Sequence, residues 1–148
     1  MIIGSPECGP FSALQNLNML TEEGREKVME LRRLGEVHLK FCCRLYRMQM
    51  ERGLDFLHEH PQSAASWKVD CVRELSQSPV VYMTVAHQCQ FGLMTRDKTG
   101  EGYAKKPATF MTNSPDMSKV LDRKCDGSHE NIPLMEGRAK AAQHYPKK

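Results

Sequence analysis

An α/β sheet with crossover helices is the fold that this sequence predicts, and three observations predict it. Short runs rich in β-branched residues alternate with helical periodicity, in the order strand, helix, strand, helix, two strands, helix. A long amphipathic segment between the first two strands is the right length for a crossover connection. The chain has 148 residues with 40% hydrophobic and 26% charged side chains, enough for one sizeable core. About four strands are available, the last two forming an antiparallel pair at one edge. With so few strands, and the first beginning at residue 1, the sheet is expected to be incomplete on its amino-terminal side and to leave an edge unpaired. Residues 1–148 read as one partial domain, truncated at both ends.

The elements follow from local signals. Met1-Ile2-Ile3-Gly4 is short and apolar and stops at Ser5-Pro6, as a buried strand does. Cys8 to Ser12 reads as a loop. Thr21 is an N-cap with Glu22 and Glu23 in the first turn, and Gly53 is the matching C-terminal stop. Val28, Leu31, Leu34, His38, Phe41, Cys42, Leu45 and Met48 recur at spacings of three and four, which predicts that they form the buried face. Gly35 is a weak point inside that helix, by about 1 kcal/mol relative to Ala. Residues 54–58 predict a short strand ended by Glu59-His60-Pro61, residues 66–76 a helix, and residues 80–85 a buried strand. The polar, Gly-containing stretch 98–106 predicts a surface loop, and 108–112 a final strand. Asn113-Ser114-Pro115 then signals a helix start, and 138–144 a last helical turn.

Composition narrows the class of function. A formal charge of +3, spread along the chain, permits contact with nucleic acid without demanding it. The basic residues of the long helix, from Arg25 to Arg47, are expected to be a solvated face. No apolar run reaches the roughly 18 residues that cross a bilayer, and no secretory signal is present, so an intracellular location is expected. The six cysteines are irregularly spaced, with Cys42 and Cys43 adjacent on a helix, a pattern that suits reduced thiols better than a disulfide framework.

Cys8 stands just past the first strand, in Ser5-Pro6-Glu7-Cys8-Gly9-Pro10-Phe11-Ser12. A thiol at such a junction is held rigidly behind and open in front, a good position for a nucleophile. Pro6, Cys8, Phe11 and Ser12 reproduce the Pro-x-Cys-x-x-Phe-Ser spacing of the nucleophile loop of cytosine-5 DNA methyltransferases. Glu59-His60-Pro61, following Phe56-Leu57-His58, is similar to that family's Glu-Asn-Val or Glu-Asn-Pro element. Gln88-Cys89-Gln90-Phe91-Gly92 and Lys106-Pro107-Ala108-Thr109, continuing to Thr112-Asn113, resemble its Cys-x-Tyr/Phe-Gly, Lys-Pro-Thr and Thr-Asn region. Cys125 with His129, and Arg138-Ala139 with Tyr145-Pro146, are weaker echoes. The resemblance spans nearly the whole chain. It is to phage-type enzymes and to sequences in copia-like retroelement polyproteins of protists, which implies a mobile-element origin.

The resemblance implies a partial class I, Rossmann-like methyltransferase fold and a specific chemistry. The target cytosine is extruded from the duplex because its ring is out of reach within the stack. By resemblance Cys8 is the nucleophile that adds to carbon 6 of the ring, and Glu59 holds ring nitrogen 3. Pro6, Ser12, Gln88 and Phe91 are the implied substrate-binding residues. S-adenosylmethionine is the implied methyl donor and DNA the implied partner. The departures matter as much. Glu7 replaces the family's second proline and is expected to raise the Cys8 pKa. His60 stands in the place of Asn, and His87 precedes Gln88 where an acidic residue is expected. The Gly-rich turn that binds the donor is absent, since Gly100-Glu101-Gly102 follows a polar run rather than a strand. No target-recognition segment is present.

The expectation is therefore a fragment of a methyltransferase-like domain that does not methylate DNA alone, with an amino-terminal half supplied in cis or in trans. The alternative is a non-catalytic module that uses the same groove to bind nucleic acid or another chain. No metal site is assigned. Cys125 and His129 have ligand-like spacing, but no second Cys/His pair stands at zinc-finger spacing. On a strand His58 and His60 point to one side and Glu59 to the other. Trp67 is expected to pack beneath the Pro61 loop.

Overall fold

The computed structural model describes residues 1–135 and 137–142. The chain enters through strand β1 (Ile2–Gly4), makes a 3-10 turn at Gly9–Phe11 and a short helix α1 (Gln15–Asn18), then runs through the 30-residue helix α2 (Glu22–Glu51). Strand β2 (Phe56–Pro61), a 3-10 turn (Ala65–Lys68) and helix α3 (Asp70–Ser76) follow. After β3 (Tyr82–His87) and the 3-10 turn Gln88–Phe91 come β4 (Met94–Asp97), β5 (Gly100–Tyr103), β6 (Pro107–Thr112), α4 (Pro115–Leu121) and α5 (Arg138–Ala141). Four strands make one mixed sheet in the order β1-β2-β6-β3, and β4 with β5 makes a separate hairpin. β1 and β2 are parallel, whereas β6 runs antiparallel to both of its neighbours, β2 and β3. The fold is mixed α/β, as expected, and the expected antiparallel edge pair is β3 with β6.

The long helix begins and ends where its caps predict. The Thr21 hydroxyl accepts the Gly24 N–H at 3.1 Å, and Gly53 takes a left-handed φ of 67° just past the last turn. Its buried face departs from the expectation. Val28, Leu39, Cys42, Cys43 and Tyr46 are buried, whereas Leu34 and Phe41 are 53% and 57% exposed, and Leu31 and Met48 are also exposed. Apolar residues occupy more than one side of this helix, so periodicity alone selects no unique stripe. Gly35 decides the matter: a Cβ there would lie 2.8 Å from the Phe11 ring, so the helix can approach that ring only through glycine. Its basic residues pair with acidic ones along the helix, Arg25 with Glu22, Lys27 with Glu23 and Arg33 with Glu30. Such exposed pairs form a solvated surface worth little to stability.

Phe56, His58 and His60 of β2 point toward α2 and α3. Tyr46 stacks on Phe56 at 4.7 Å and contacts the His58 ring edge-on, and Leu39, Val72, Leu75 and Met111 complete this core. Gly4 lets β1 lie against the same tyrosine, since a Cβ at that position would sit 1.9 Å from Tyr46 Oη. The opposite face of the sheet carries Leu57, Ala86, Ala108 and Phe110 and is partly covered by α4 through Leu121.

Other boundaries shift for identifiable reasons. β2 runs on through Glu59, His60 and Pro61, because β6 pairs with it as far as Pro61↔Ala108. Its start is set by Asn113, whose Oδ1 accepts the Phe56 N–H at 2.8 Å. The expected strand 80–85 begins at Tyr82, because Val81 N–H closes a turn onto Ser78 O. The helix expected at 66–76 is broken at Val69, whose extended backbone separates the 3-10 turn from α3. The polar stretch expected as a loop includes β5 of the hairpin, where the Asp97 carboxylate accepts from Thr99 and Arg96 pairs across the strands with Glu101. Ser114 caps α4 as predicted. The end of the expected 138–144 helix, with Tyr145 and Pro146, lies outside the described residues. All six cysteines are free thiols, and among the described residues no helix is long and apolar enough to cross a membrane.

Candidate functional site

The parallel pairing of β1 and β2 puts the carboxy-terminal end of β1 beside the middle of β2. Gly4 lies opposite His58, so the loop after β1 emerges next to Glu59 and His60. Cys8 and Glu59 thereby line one cleft of about 200 Å³, together with Ser5, Pro6, Gly9 and Lys106. Period-two alternation then divides the work along β2: His60 is buried on the helical side, and Glu59 faces the cleft.

His60 fixes the Cys8 loop. The Pro6 carbonyl has only lone pairs, so His60 Nε2 carries the proton and donates at 2.9 Å. His60 Nδ1 is then the acceptor, and the Ser66 hydroxyl donates to it at 2.6 Å. Burial lowers the His60 pKa, and the Pro6 carbonyl and Glu59 only partly oppose this. Its neighbour His58 is fully buried, with Nδ1 3.0 Å from the Tyr46 hydroxyl and Nε2 without a partner. Burial, helped by proximity to His60, brings the His58 pKa down to about 3. Trp67 packs edge-on against both imidazoles and donates to the Pro61 carbonyl at 2.9 Å, the packing role expected for it. His60 is therefore a structural tie between the Pro6 loop and the Ser66 turn.

The electrostatics keep Cys8 protonated. Burial raises its pKa most and the Glu59 carboxylate adds to that, while a backbone hydrogen bond at Cys8 and the Lys106 ammonium oppose them. Glu7 acts in the expected direction but contributes least. Ser5, which sequence reasoning did not single out, donates its hydroxyl to Glu59 Oε2 at 2.8 Å and orients the carboxylate. Lys106, named from the sequence only as part of the Lys-Pro-Thr-like element and given no role, also lines the cleft. Its φ of 27° lies in the sparsely populated left-handed region, and its Nζ donates to the Ala142 carbonyl at 2.6 Å.

Gln88 and Phe91 lie next door rather than in the Cys8 cleft. They line an apolar cavity of about 250 Å³ on the face away from α2, walled by Ile3, Leu57, Phe110 and Leu121 and sharing Ser5 and Glu59 with the first cleft. The side-chain nitrogen of Gln88 is buried there without a partner, an uncompensated donor at the edge of an apolar space. The Arg123 guanidinium sits 5.4 Å from the centre of the Phe91 ring. Ser12 is not brought to either cavity: its hydroxyl accepts from Leu14 N–H and its carbonyl from Gln15 N–H, at the start of the next turn.

The arrangement sets a thiol from the loop after β1 and a carboxylate from within β2 in the lining of one cleft of about 200 Å³. Among the described residues, no glycine-rich turn of the kind that would cradle S-adenosylmethionine joins a strand directly to a long helix. Gly100 and Gly102 both lie inside β5 of the hairpin, and Ile132 already packs against Gly102, where a Cβ would be 2.9 Å from its methyl carbon. Gly9, which follows β1, opens a three-residue 3-10 turn rather than a long helix. No family model, curated protein or solved structure matches the chain.

Proposed function

We propose that this chain is the substrate-side part of a cytosine-5 DNA methyltransferase-like domain, one that receives an extruded cytosine between Cys8 and Glu59 but does not transfer a methyl group by itself. The observation that carries the reading is that these two residues, chosen from motif resemblance alone, line one cleft, Cys8 from the loop after β1 and Glu59 from the adjacent strand β2. The neighbouring buried amide of Gln88, the substrate residue with an unpartnered donor, adds support. The finer reading of the fold, part of a class I methyltransferase sheet, is supported by the parallel β1–β2 pair and by the outer edge of β1, which has no strand partner among the described residues. That edge would receive a strand from the amino-terminal half of such a domain, in the same chain or another.

A second reading, a non-catalytic module that binds nucleic acid or another chain in the same groove, is favoured by one observation: burial and Glu59 hold the thiol in its neutral form. Trapping on a duplex containing 5-fluorocytosine, with and without S-adenosylmethionine and with Cys8→Ser as control, separates the two. The proposal expects no Cys8-dependent adduct from the chain alone, and an adduct when an amino-terminal donor-binding half of a related enzyme is added. Tight DNA binding that is insensitive to Cys8→Ser and Glu59→Gln, with no adduct under either condition, would establish the second reading instead.

A further inference from the structure

The geometry points to a metal site outside the clefts: Cys89, Cys125 and His129 together hold one zinc-class divalent ion. Cys89 sits in the 3-10 turn after β3, and Cys125 and His129 in the irregular segment after α4. One ligand atom from each lies within 4.8 Å of the other two. A tetrahedral zinc with bond lengths of about 2.3 Å to sulfur and about 2.05 Å to nitrogen separates those two ligands by about 3.6 Å. Cys125 Sγ and His129 Nε2 are 3.5 Å apart. That pair is already at the spacing of a chelate edge.

The surroundings are built as those of a ligand set are. The Cys125 N–H donates to His87 Nδ1 at 2.8 Å, and His87 N–H donates to the Arg123 carbonyl, which clips this loop to the end of β3. The Asp126 carboxylate accepts from Ser128 N–H, and Gly127 turns the chain with a φ of 81°, so that His129 returns toward Cys125. The Tyr103 ring packs against the His129 imidazole, with 4.4 Å between centroids. Asn131 donates its amide to Cys125 Sγ at 3.4 Å, a bond that stabilises a thiolate and holds its orientation. The same amide's Oδ1 is buried without a partner, an orphaned acceptor that a water on the fourth corner of the ion would satisfy.

Two thiolates and an imidazole select a borderline-soft ion such as zinc over calcium or magnesium, which take oxygen ligands. The ion has a clear task. The hairpin and the carboxy-terminal segment meet in a small cluster around Leu93, Ala104 and Ala142, in the Ile132–Gly102 contact and in the Tyr103↔Asn131 bridge. A metal bridging Cys89 to Cys125 and His129 adds a cross-link between the turn after β3 and the segment after α4.

Cobalt(II) titration of the reduced full chain tests the site. The expected result is one equivalent bound, with visible bands of a tetrahedral ion and a thiolate-to-cobalt charge-transfer band in the near ultraviolet, all displaced by one equivalent of zinc. Cys89→Ser, Cys125→Ser and His129→Ala should each abolish the tetrahedral spectrum, whereas Cys42→Ser should leave it unchanged. Asn131→Ala should weaken binding by about 10-fold. Because the ligand variants can misfold, His129→Cys is the second arm: it should keep the ion and raise the charge-transfer intensity by about half, from two thiolates to three. No tetrahedral cobalt spectrum from the native chain, or one that survives loss of Cys125, would overturn the proposal. A Cys89–Cys125 disulfide formed in preference to metal uptake under reducing conditions would overturn it equally.

Discussion

Lowering the pH should unfold this protein through its buried histidines, and the size of the effect follows from their surroundings. His58 is fully buried and its pKa is brought down to about 3, against about 6.5 in an unfolded chain. A depressed folded-state pKa means that the stabilisation is complete above about pH 6.5 and is lost as the pH falls toward the folded value. Each pH unit in that window is worth about 1.4 kcal/mol, so His58 alone should remove about 2 kcal/mol at pH 5 and about 4 kcal/mol near pH 3. His60, lowered in the same direction, steepens the loss. Urea unfolding at steps between pH 7.5 and 5 measures this directly as a shift in midpoint at constant slope. His58→Gln should lower stability at neutral pH but flatten the pH dependence by about 1.4 kcal/mol per unit. An unchanged dependence in that variant, or stability that rises on acidification, would refute the argument that a neutral buried imidazole is at its root.

Three further outcomes follow from close contacts and charges. Gly4→Ala places a methyl group 1.9 Å from the Tyr46 hydroxyl and should cost about 3 kcal/mol, part of which Tyr46→Phe should restore in a double-mutant cycle read by urea unfolding. Gly35→Ala improves helix propensity by about 1 kcal/mol, but its Cβ meets the Phe11 ring at 2.8 Å, so a net destabilisation of about 1 kcal/mol is expected in thermal unfolding. Glu59→Gln removes a charge that raises the Cys8 pKa, so the pH profile of Cys8 alkylation should move to lower pH. An unmoved profile would show that burial alone governs the thiol.

What the sequence makes legible differs between local and long-range features. Thr21 and Gly53 mark the two ends of α2 because caps are local chemistry, read from a few consecutive residues. Which side of α2 is buried was not legible, since Leu34 and Phe41 are as apolar as Leu39, and only the approach of Gly35 to Phe11 separates them. The opposite orientations of Glu59 and His60 follow from strand alternation, but the extent of β2 depended on β6, whose pairing no local window contains. The cleft brings Cys8 to Glu59 as the motifs imply, yet Ser12 faces its own turn and Ser5 takes the role of orienting the carboxylate. Cys125 and His129 show their spacing in one stretch of chain. Cys89 joins them only because the segment after α4 folds back on the end of β3.

Glu59 stands in the wall between two cavities, and this makes the cavities partners in a thermodynamic sense. A molecule in the apolar cavity that donates a proton or a hydrogen bond to that carboxylate weakens the negative field on Cys8 and makes the thiol more acidic. By reciprocity, ionising Cys8 must change the affinity of that molecule by the same factor. A single side chain, tethered by Ser5, would thus let the occupant of one chamber set the reactivity of the other without any movement of the backbone.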